Sequence, residues 1–352
     1  MAAVSEMPES FRSTDDRVLL TGLSGFIAKF VALDLLQRGY RVRATVRSAA
    51  KGDATRETLR HNGADTARLE IVEADLGQDT GWSEAASGCR FILHMASPFP
   101  MAQPRDKFAL VPTARDGAVR VMRAAKQAGA ERVVMTSSIA AVGYGHSAAL
   151  TRPLGEADFS NVDSDAISPY AVSKTLAEQA AREALRGSAV EFVTINPVLV
   201  LGPLLDDDFA ASIEIVRTMM KGRMPAVPDI ALGIVDVRDV TAAHVAALLL
   251  SPEAPGRRFI LAAESLTLRE IGEIIADRFP EYRARMPRFT LPDWAVKAAA
   301  FVSPQIRQAV PELGSKRTYD TQPARTILGV ALRDAAEAVA ATGQALIERK
   351  LV

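Results

Sequence analysis

The sequence predicts a doubly wound α/β fold, a parallel sheet covered by helices on both faces, joined to a smaller, mostly helical C-terminal lobe. From Arg17 onward, short β-branched or aliphatic runs alternate with longer stretches of helical period. Such alternation is the pattern of parallel strands linked by right-handed helical crossovers. The first of these runs leads directly into a glycine-rich turn and a helix. The lobe rests on a third observation: after Asn196 the rhythm changes, and Pro197, Gly202, Pro203, Gly222, Pro225 and Pro228 interrupt the chain.

Taken in order, strands are expected at residues 18–21, 41–46, 69–73, 91–95, 132–137 and 190–196. Between the first two, residues 26–38 carry apolar positions at helical spacing and stop before Gly39, a good left-handed cap. One more strand is expected at 259–262, and VDVRDV reads as a short strand or turn leading into the buried helix of AAHVAALLL, with Asp239 as its cap. The expected division is a loose tail at 1–15, a dinucleotide domain at 16–200 to which 234–262 returns, and a substrate lobe from 201–233 and 263–352.

Composition narrows the classes of function. The 352 residues are 48% hydrophobic and 24% charged, which excludes a disordered or fibrous chain. Lys plus Arg and Asp plus Glu number 42 each, so no net field favours a nucleic acid or an acidic membrane. Cys89 is the only cysteine, and His61, His94, His146 and His244 lack metal-ligand spacing. The first sixteen residues include Glu6, Glu9, Asp15 and Asp16 and lack the basic start and apolar core of a signal peptide. No apolar run approaches the roughly 18–20 residues that cross a bilayer. A cytoplasmic chain with a small-molecule substrate is expected, monomer or homodimer, with no metal, nucleic-acid or membrane partner.

RVLLTGLSGFIAKF places Thr21, Gly22, Gly25 and Ala28 where the first strand meets the first helix. Gly22 permits a sharp turn, Gly25 a close backbone approach to a pyrophosphate, and Ala28 tight packing of helix on sheet. Free N–H groups at the helix start then face phosphate, so Thr21, Gly22, Ser24, Gly25, Phe26 and Ile27 form the candidate cradle of a Rossmann-type fold. The second strand ends RVRATVRSAAK, with no carboxylate between Arg41 and Lys51. Arg47 at its exit, with Lys51 within reach, suits a 2′-phosphate and so favours NADPH over NADH. After the third strand, Asp75 and Leu76 lie where a carboxylate could accept from the adenine amino group, although Asp75 equally fits a helix cap.

SPYAVSKTLAEQAAREAL holds Tyr170 and Lys174 at i and i+4 near a helix start, so both leave one face. A phenol near pKa 10 is a poor proton donor at neutral pH, and a neighbouring ammonium favours its phenolate. VVMTSSIAAV ends the fifth strand with Ser137 and Ser138, either of which offers a hydroxyl to the oxygen that Tyr170 would protonate.

Together these segments resemble the extended short-chain dehydrogenase/reductases, within them the group of dihydroflavonol reductases and microbial aldehyde and ketone reductases. The likeness runs through TGLSGFIA, VRATVRS, ADL, FILHMASPFP, MTSSIAAV, YAVSK and NPVLVLGP. It implies that Ser138 binds the carbonyl, Tyr170 donates the proton, and Lys174 binds the nicotinamide ribose and lowers the tyrosine pKa. It further implies that Met95, Ala96 and Ser97 pass beside the cofactor, that Pro197, Val198 and Val200 belong to a turn at the nicotinamide carboxamide, and that Ser212 is another cofactor contact.

Two positions depart from the family. Asp116 stands where an asparagine commonly supports a proton-relay water, and Gly143 where plant flavonoid reductases carry a polar asparagine. The second departure argues against a dihydroflavonol, and Phe99, Tyr144 and the lobe are expected to line an apolar pocket for an aldehyde or ketone. Asp206, Asp207 and Asp208 read as a solvated loop, Trp82 as the anchor of a helix start, and Cys89 as a small buried hydrophobe. The expected function is reversible NADPH-dependent reduction of a carbonyl. Other readings are a nucleotide-sugar epimerase or dehydratase, a hydroxysteroid dehydrogenase, or a non-catalytic NADP-sensing regulator, which has no chemical need for a tuned phenol.

Overall fold

A computed structural model describes residues 15–98, 104, 106–146, 152–301 and 310–352. Strands β1 (Arg17–Thr21), β2 (Arg41–Val46), β3 (Leu69–Glu73), β4 (Phe91–His94), β5 (Arg132–Thr136) and β6 (Glu191–Pro197) lie where the sequence places them. With Arg258–Leu261 they form one seven-stranded sheet, whose order from the β3 edge is β3, β2, β1, β4, β5, β6 and then Arg258–Leu261. Every neighbouring pair is parallel. The winding reverses between β1 and β4, and open α/β sheets hold ligands outside the strand carboxyl ends at such a switch point. Thr21 and His94 are partners in the ladder there.

Burial on both faces explains the near-continuous apolar strands. Leu20, Leu93, Val134 and Ile195 pack into one core with Val31 and Leu35 of α1 (Phe26–Gln37). Leu19, Ile92, Val133 and Phe192 face the opposite core. There they meet Trp82 of α3 (Trp82–Ala86), Val121 and Met122 of α4 (Gly117–Ala128), and Ala177 and Ala181 of α5 (Pro169–Ala184). The remaining helix of this half, α2 (Ala49–His61), starts after the exit of β2. Gly39, at φ +85°, follows the α1 terminus as expected.

The C-terminal half contains more strand than its sequence suggests. A three-stranded sheet joins β7 (Leu199–Leu201), β9 (Ala231–Asp236) and Glu264–Thr267, and a two-stranded one joins β8 (Ala226–Pro228) to Phe289–Leu291. These strands are too short for a period-two pattern to stand out. The strand around VDVRDV therefore belongs to the second sheet and not to the large one, while Arg258–Leu261 does return to the latter. Asp236, not Asp239, caps the helix α7 (Val237–Val245), its carboxylate accepting from the Arg238 N–H at 2.8 Å. Asp239 is instead buried and ion-paired with Arg333, a partner 94 residues away that no local pattern reveals. Among the described residues no helix is long and apolar enough to cross a membrane, and no group of His, Cys, Asp and Glu is placed to hold a metal ion.

Candidate active site

At the glycine turn, Gly22 adopts φ +75°, and a Cβ there would lie 2.9 Å from the Ala96 Cα. Its N–H donates to the Thr45 hydroxyl at 3.1 Å. The Thr21 hydroxyl oxygen accepts from the backbone N–H groups of Met95 and Ala96 at 3.0 and 2.9 Å. Its single proton is therefore given to Nδ1 of His94, 3.0 Å away, which leaves that imidazole neutral with its hydrogen on Nε2. Burial, helped by the nearby Lys174 ammonium, pushes His94 down to about 3, in keeping with that state.

Helix α1 begins at Phe26 with Gly25 as its cap, so no side chain occupies its first N–H groups, and its first turn carries no acid. A Cβ on Gly25 would come within 3.3 Å of the Gly22 carbonyl and fill the cradle. The turn thus fits a pyrophosphate. Gly22→Ala is expected to cost about 2–4 kcal/mol, because it combines left-handed strain with a backbone clash. Thermal unfolding checks this, and wild-type stability in the variant would contradict the close approach.

Arg47 lies exposed just past the end of β2, with no ion-pair partner among the described residues. Lys51 differs from expectation, since its ammonium pairs with Asp208 at 3.0 Å. The aspartate run is correspondingly not a merely solvated loop. Asp206 takes the buried Lys29 ammonium and the Thr58 hydroxyl, and Asp207 takes Arg349. These ties fasten the run to α1, α2 and the C-terminal end of the chain, through partners about 140 to 180 residues apart in sequence. Asp75 closes a local turn by accepting the Gly77 N–H at 2.7 Å, and Leu76 is half-buried against the start of α4.

Helix α5 starts with Pro169, and the Ser168 hydroxyl accepts the Ala171 N–H at 3.2 Å. Proline is preorganised for a first helical position, so the cap fixes where Tyr170 projects. The Tyr170 hydroxyl is hydrogen-bonded to Ser138. The Lys174 ammonium sits 5.9 Å from the centre of the tyrosine ring, within cation–π range. The two serines separate cleanly: Ser138 meets Tyr170, whereas the buried Ser137 donates to Glu178 behind the helix.

The electrostatics correct one expectation. Burial raises the Tyr170 phenol above its ordinary value, opposed by the Ser138 hydrogen bond. Burial also pushes Lys174 down, to about 8, against the pull of the Glu178 carboxylate. At neutral pH the phenol therefore retains its proton.

Other site residues fall as follows. At the β4 exit, Met95 and Ala96 are half-buried and Ser97 is exposed. Pro197 ends β6, Val198 and Val200 are buried around the start of β7, and Ser212 is half-buried in the first turn of α6 (Ala211–Met220). Tyr144 packs in the same small cluster as Tyr170, with the Arg317 guanidinium 4.5 Å over its ring, and burial pushes its phenol well up. Phe99 lies outside the described residues. Asp116 is on the surface, ion-paired with Arg115 at 2.7 Å, and that pairing holds its carboxyl down. Sequence reasoning overlooked Thr45, His94, Glu178 and Arg258. Only Glu178 carried a signal, an acid continuing the Tyr170 and Lys174 spacing by one more helical turn.

A glycine cradle at the switch point of a parallel sheet, next to a serine from the β5 exit and a tyrosine and lysine from α5, defines a dinucleotide-dependent enzyme of the short-chain dehydrogenase/reductase type. The sequence model of the NAD dependent epimerase/dehydratase family matches residues 18–262, and the chain belongs to this family, the extended branch of those enzymes. It is 36% identical over 267 residues to cinnamoyl-CoA reductase 1 of Arabidopsis thaliana, covering 75% of each chain. It is 34% identical over 274 residues to dihydroflavonol 4-reductase of Hordeum vulgare, again covering 75% of each. Among solved structures it is similar to the yeast methylglyoxal/isovaleraldehyde reductase Gre2 complexed with NADPH. That match has a TM-score of 0.78 at 25% identity and covers 96% of this chain and 100% of the other. Gre2 from Candida albicans in complex with NADPH matches with the same TM-score at 28% identity, covering 95% and 99%.

Proposed function

We propose that the protein is an NADPH-dependent reductase that converts an aldehyde or ketone to an alcohol, reversibly. The observation that carries this reading is the Tyr170 hydroxyl on Ser138, with Lys174 close to both Tyr170 and the His94 end of the cradle. Thr21, Gly22, Ser24, Gly25, Phe26 and Ile27 would hold the pyrophosphate, and Arg47 the 2′-phosphate. Lys51 is already paired with Asp208. When bound there, NADPH would supply a hydride to the carbonyl carbon. The NADPH complexes of both Gre2 structures, and the reductase names of the curated relatives, support this choice of chemistry and cofactor.

The chain's own residues handle the oxygen and its proton. Ser138 donates a hydrogen bond to the carbonyl oxygen, and Tyr170 gives up its proton as negative charge develops there. Because burial holds the phenol protonated, the donor is loaded at neutral pH. The Lys174 ammonium then stabilises the phenolate left behind. Met95, Ala96 and Ser97 would flank the cofactor, Pro197, Val198 and Val200 would meet its carboxamide, Ser212 would add a contact, and Tyr144 would wall the substrate beside Tyr170. Asp116 is paired with Arg115 and is assigned no step here.

A panel of aldehydes and ketones followed by NADPH absorbance, with NADH in parallel, tests the reading. Carbonyl-dependent oxidation of NADPH is expected for a subset of the panel. Protein that purifies with tightly held NAD and shows no NADPH oxidation with any carbonyl of the panel would contradict it and favour a nucleotide-sugar epimerase.

A further inference from the structure

The inner side of α5 carries a buried ion pair that the steps above do not use. Glu178 is 0% exposed and Arg258, its partner from the edge strand Arg258–Leu261, 4%. Glu178 stands one turn beyond Lys174 and accepts from the Ser137 hydroxyl and from Nδ2 of Asn196, the latter at 2.8 Å. The same Asn196 nitrogen lies 3.3 Å from the Ser138 carbonyl, and Asn196 is itself held by the Thr194 hydroxyl at 2.9 Å. Arg258 in turn donates to the carbonyls of Glu156, Asp158 and Ala141 and lies 3.8 Å over the Phe159 ring. One carboxylate thus joins α5 to β5, β6 and the edge strand at the segment that presents Ser138.

Well-packed apolar side chains would fill such a site with equal or better stability, since desolvating two charges is costly. What an ion pair with this many hydrogen bonds adds is a single permitted geometry.

We propose that Glu178, braced by Arg258, is a positioning residue for the reaction: it fixes Ser138 against Tyr170 through Ser137 and Asn196, and sets a negative charge one helical turn from the Lys174 ammonium. The inference rests on the carbonyl-reductase reading. Lys174 faces Glu178 and Tyr170 from its own helix and neutral His94 from β4. Glu178 faces Arg258 from the edge strand, Asn196 from β6, Ser137 from the exit of β5, and Arg182 one turn further along α5. Of these groups, Glu178 favours the charged lysine, whereas burial opposes it and brings it down to about 8. The ammonium is present below that value and lost as pH rises through it. Removing the Glu178 charge must therefore move the alkaline limb of kcat to lower pH.

Two variants separate the two effects. E178Q/R258M deletes both charges together and avoids leaving a lone buried arginine. It is expected to bind NADPH normally, with its alkaline limb moved to lower pH, the direction set by the loss of the Glu178 charge. Ser137→Ala keeps both charges but removes the Ser137 branch of the link to Ser138, leaving the Asn196 branch in place. It is expected to lower kcat about tenfold, with KM and the alkaline limb unchanged. A folded double variant with the wild-type pH profile overturns the electrostatic half, whatever its melting temperature. Wild-type kcat in Ser137→Ala overturns the positioning half, and that variant decides the proposal if the double variant does not fold. Wild-type enzyme that reduces no carbonyl with NADPH, or a fully active Tyr170→Phe, would instead defeat the underlying reading.

Discussion

Tyr170→Phe is expected to lower kcat about 100- to 10,000-fold while leaving NADPH affinity within about twofold. The substitution removes one oxygen from a ring whose packing partners remain, so the helix start and the Lys174 position are preserved. The carbonyl oxygen then loses its proton donor at the moment its charge develops, when a hydrogen bond matters most. Steady-state kinetics on the best carbonyl, with NADPH titrated by fluorescence, separate the two quantities. A variant with wild-type turnover would remove Tyr170 from the mechanism.

Arg47→Ala should weaken NADPH binding roughly 10- to 100-fold, the value of a charge-assisted contact to phosphate of about 1.5–3 kcal/mol, and change NADH binding less than about twofold. Arg47 is the better placed of the two candidate cations. It is exposed at the β2 exit and has no ion-pair partner among the described residues, whereas Lys51 is already paired with Asp208. Equal losses for the two dinucleotides would show that Arg47 acts on something other than the 2′-phosphate.

What the sequence discloses here is local. The strand-to-helix turn at Gly22 and Gly25, the spacing of Tyr170 and Lys174, and the apolar strands are short-range patterns set by backbone sterics, helical period and two-sided burial. Each lies where it is expected. What it conceals depends on partners far along the chain. Glu178 finds Arg258 80 residues on, and Lys29 finds Asp206 177 residues on, so neither pair leaves a periodic trace. Asp236 and Asp239 are equivalent as helix caps in sequence, and only the Arg333 ion pair distinguishes them. The state of Tyr170 was hidden for a similar reason. The spacing shows the ammonium but not the burial that acts on both groups and keeps the phenol protonated.

The central claim is that one carbonyl meets the Tyr170 hydroxyl and the reduced nicotinamide together. A crystal structure with NADP and the alcohol product tests it directly. The account predicts the product oxygen within about 2.6–3.2 Å of the Tyr170 hydroxyl, the distance of a working proton transfer, with its carbon turned to the nicotinamide ring. An alcohol bound away from that hydroxyl, or a ring lying on the far side of α5, would contradict it.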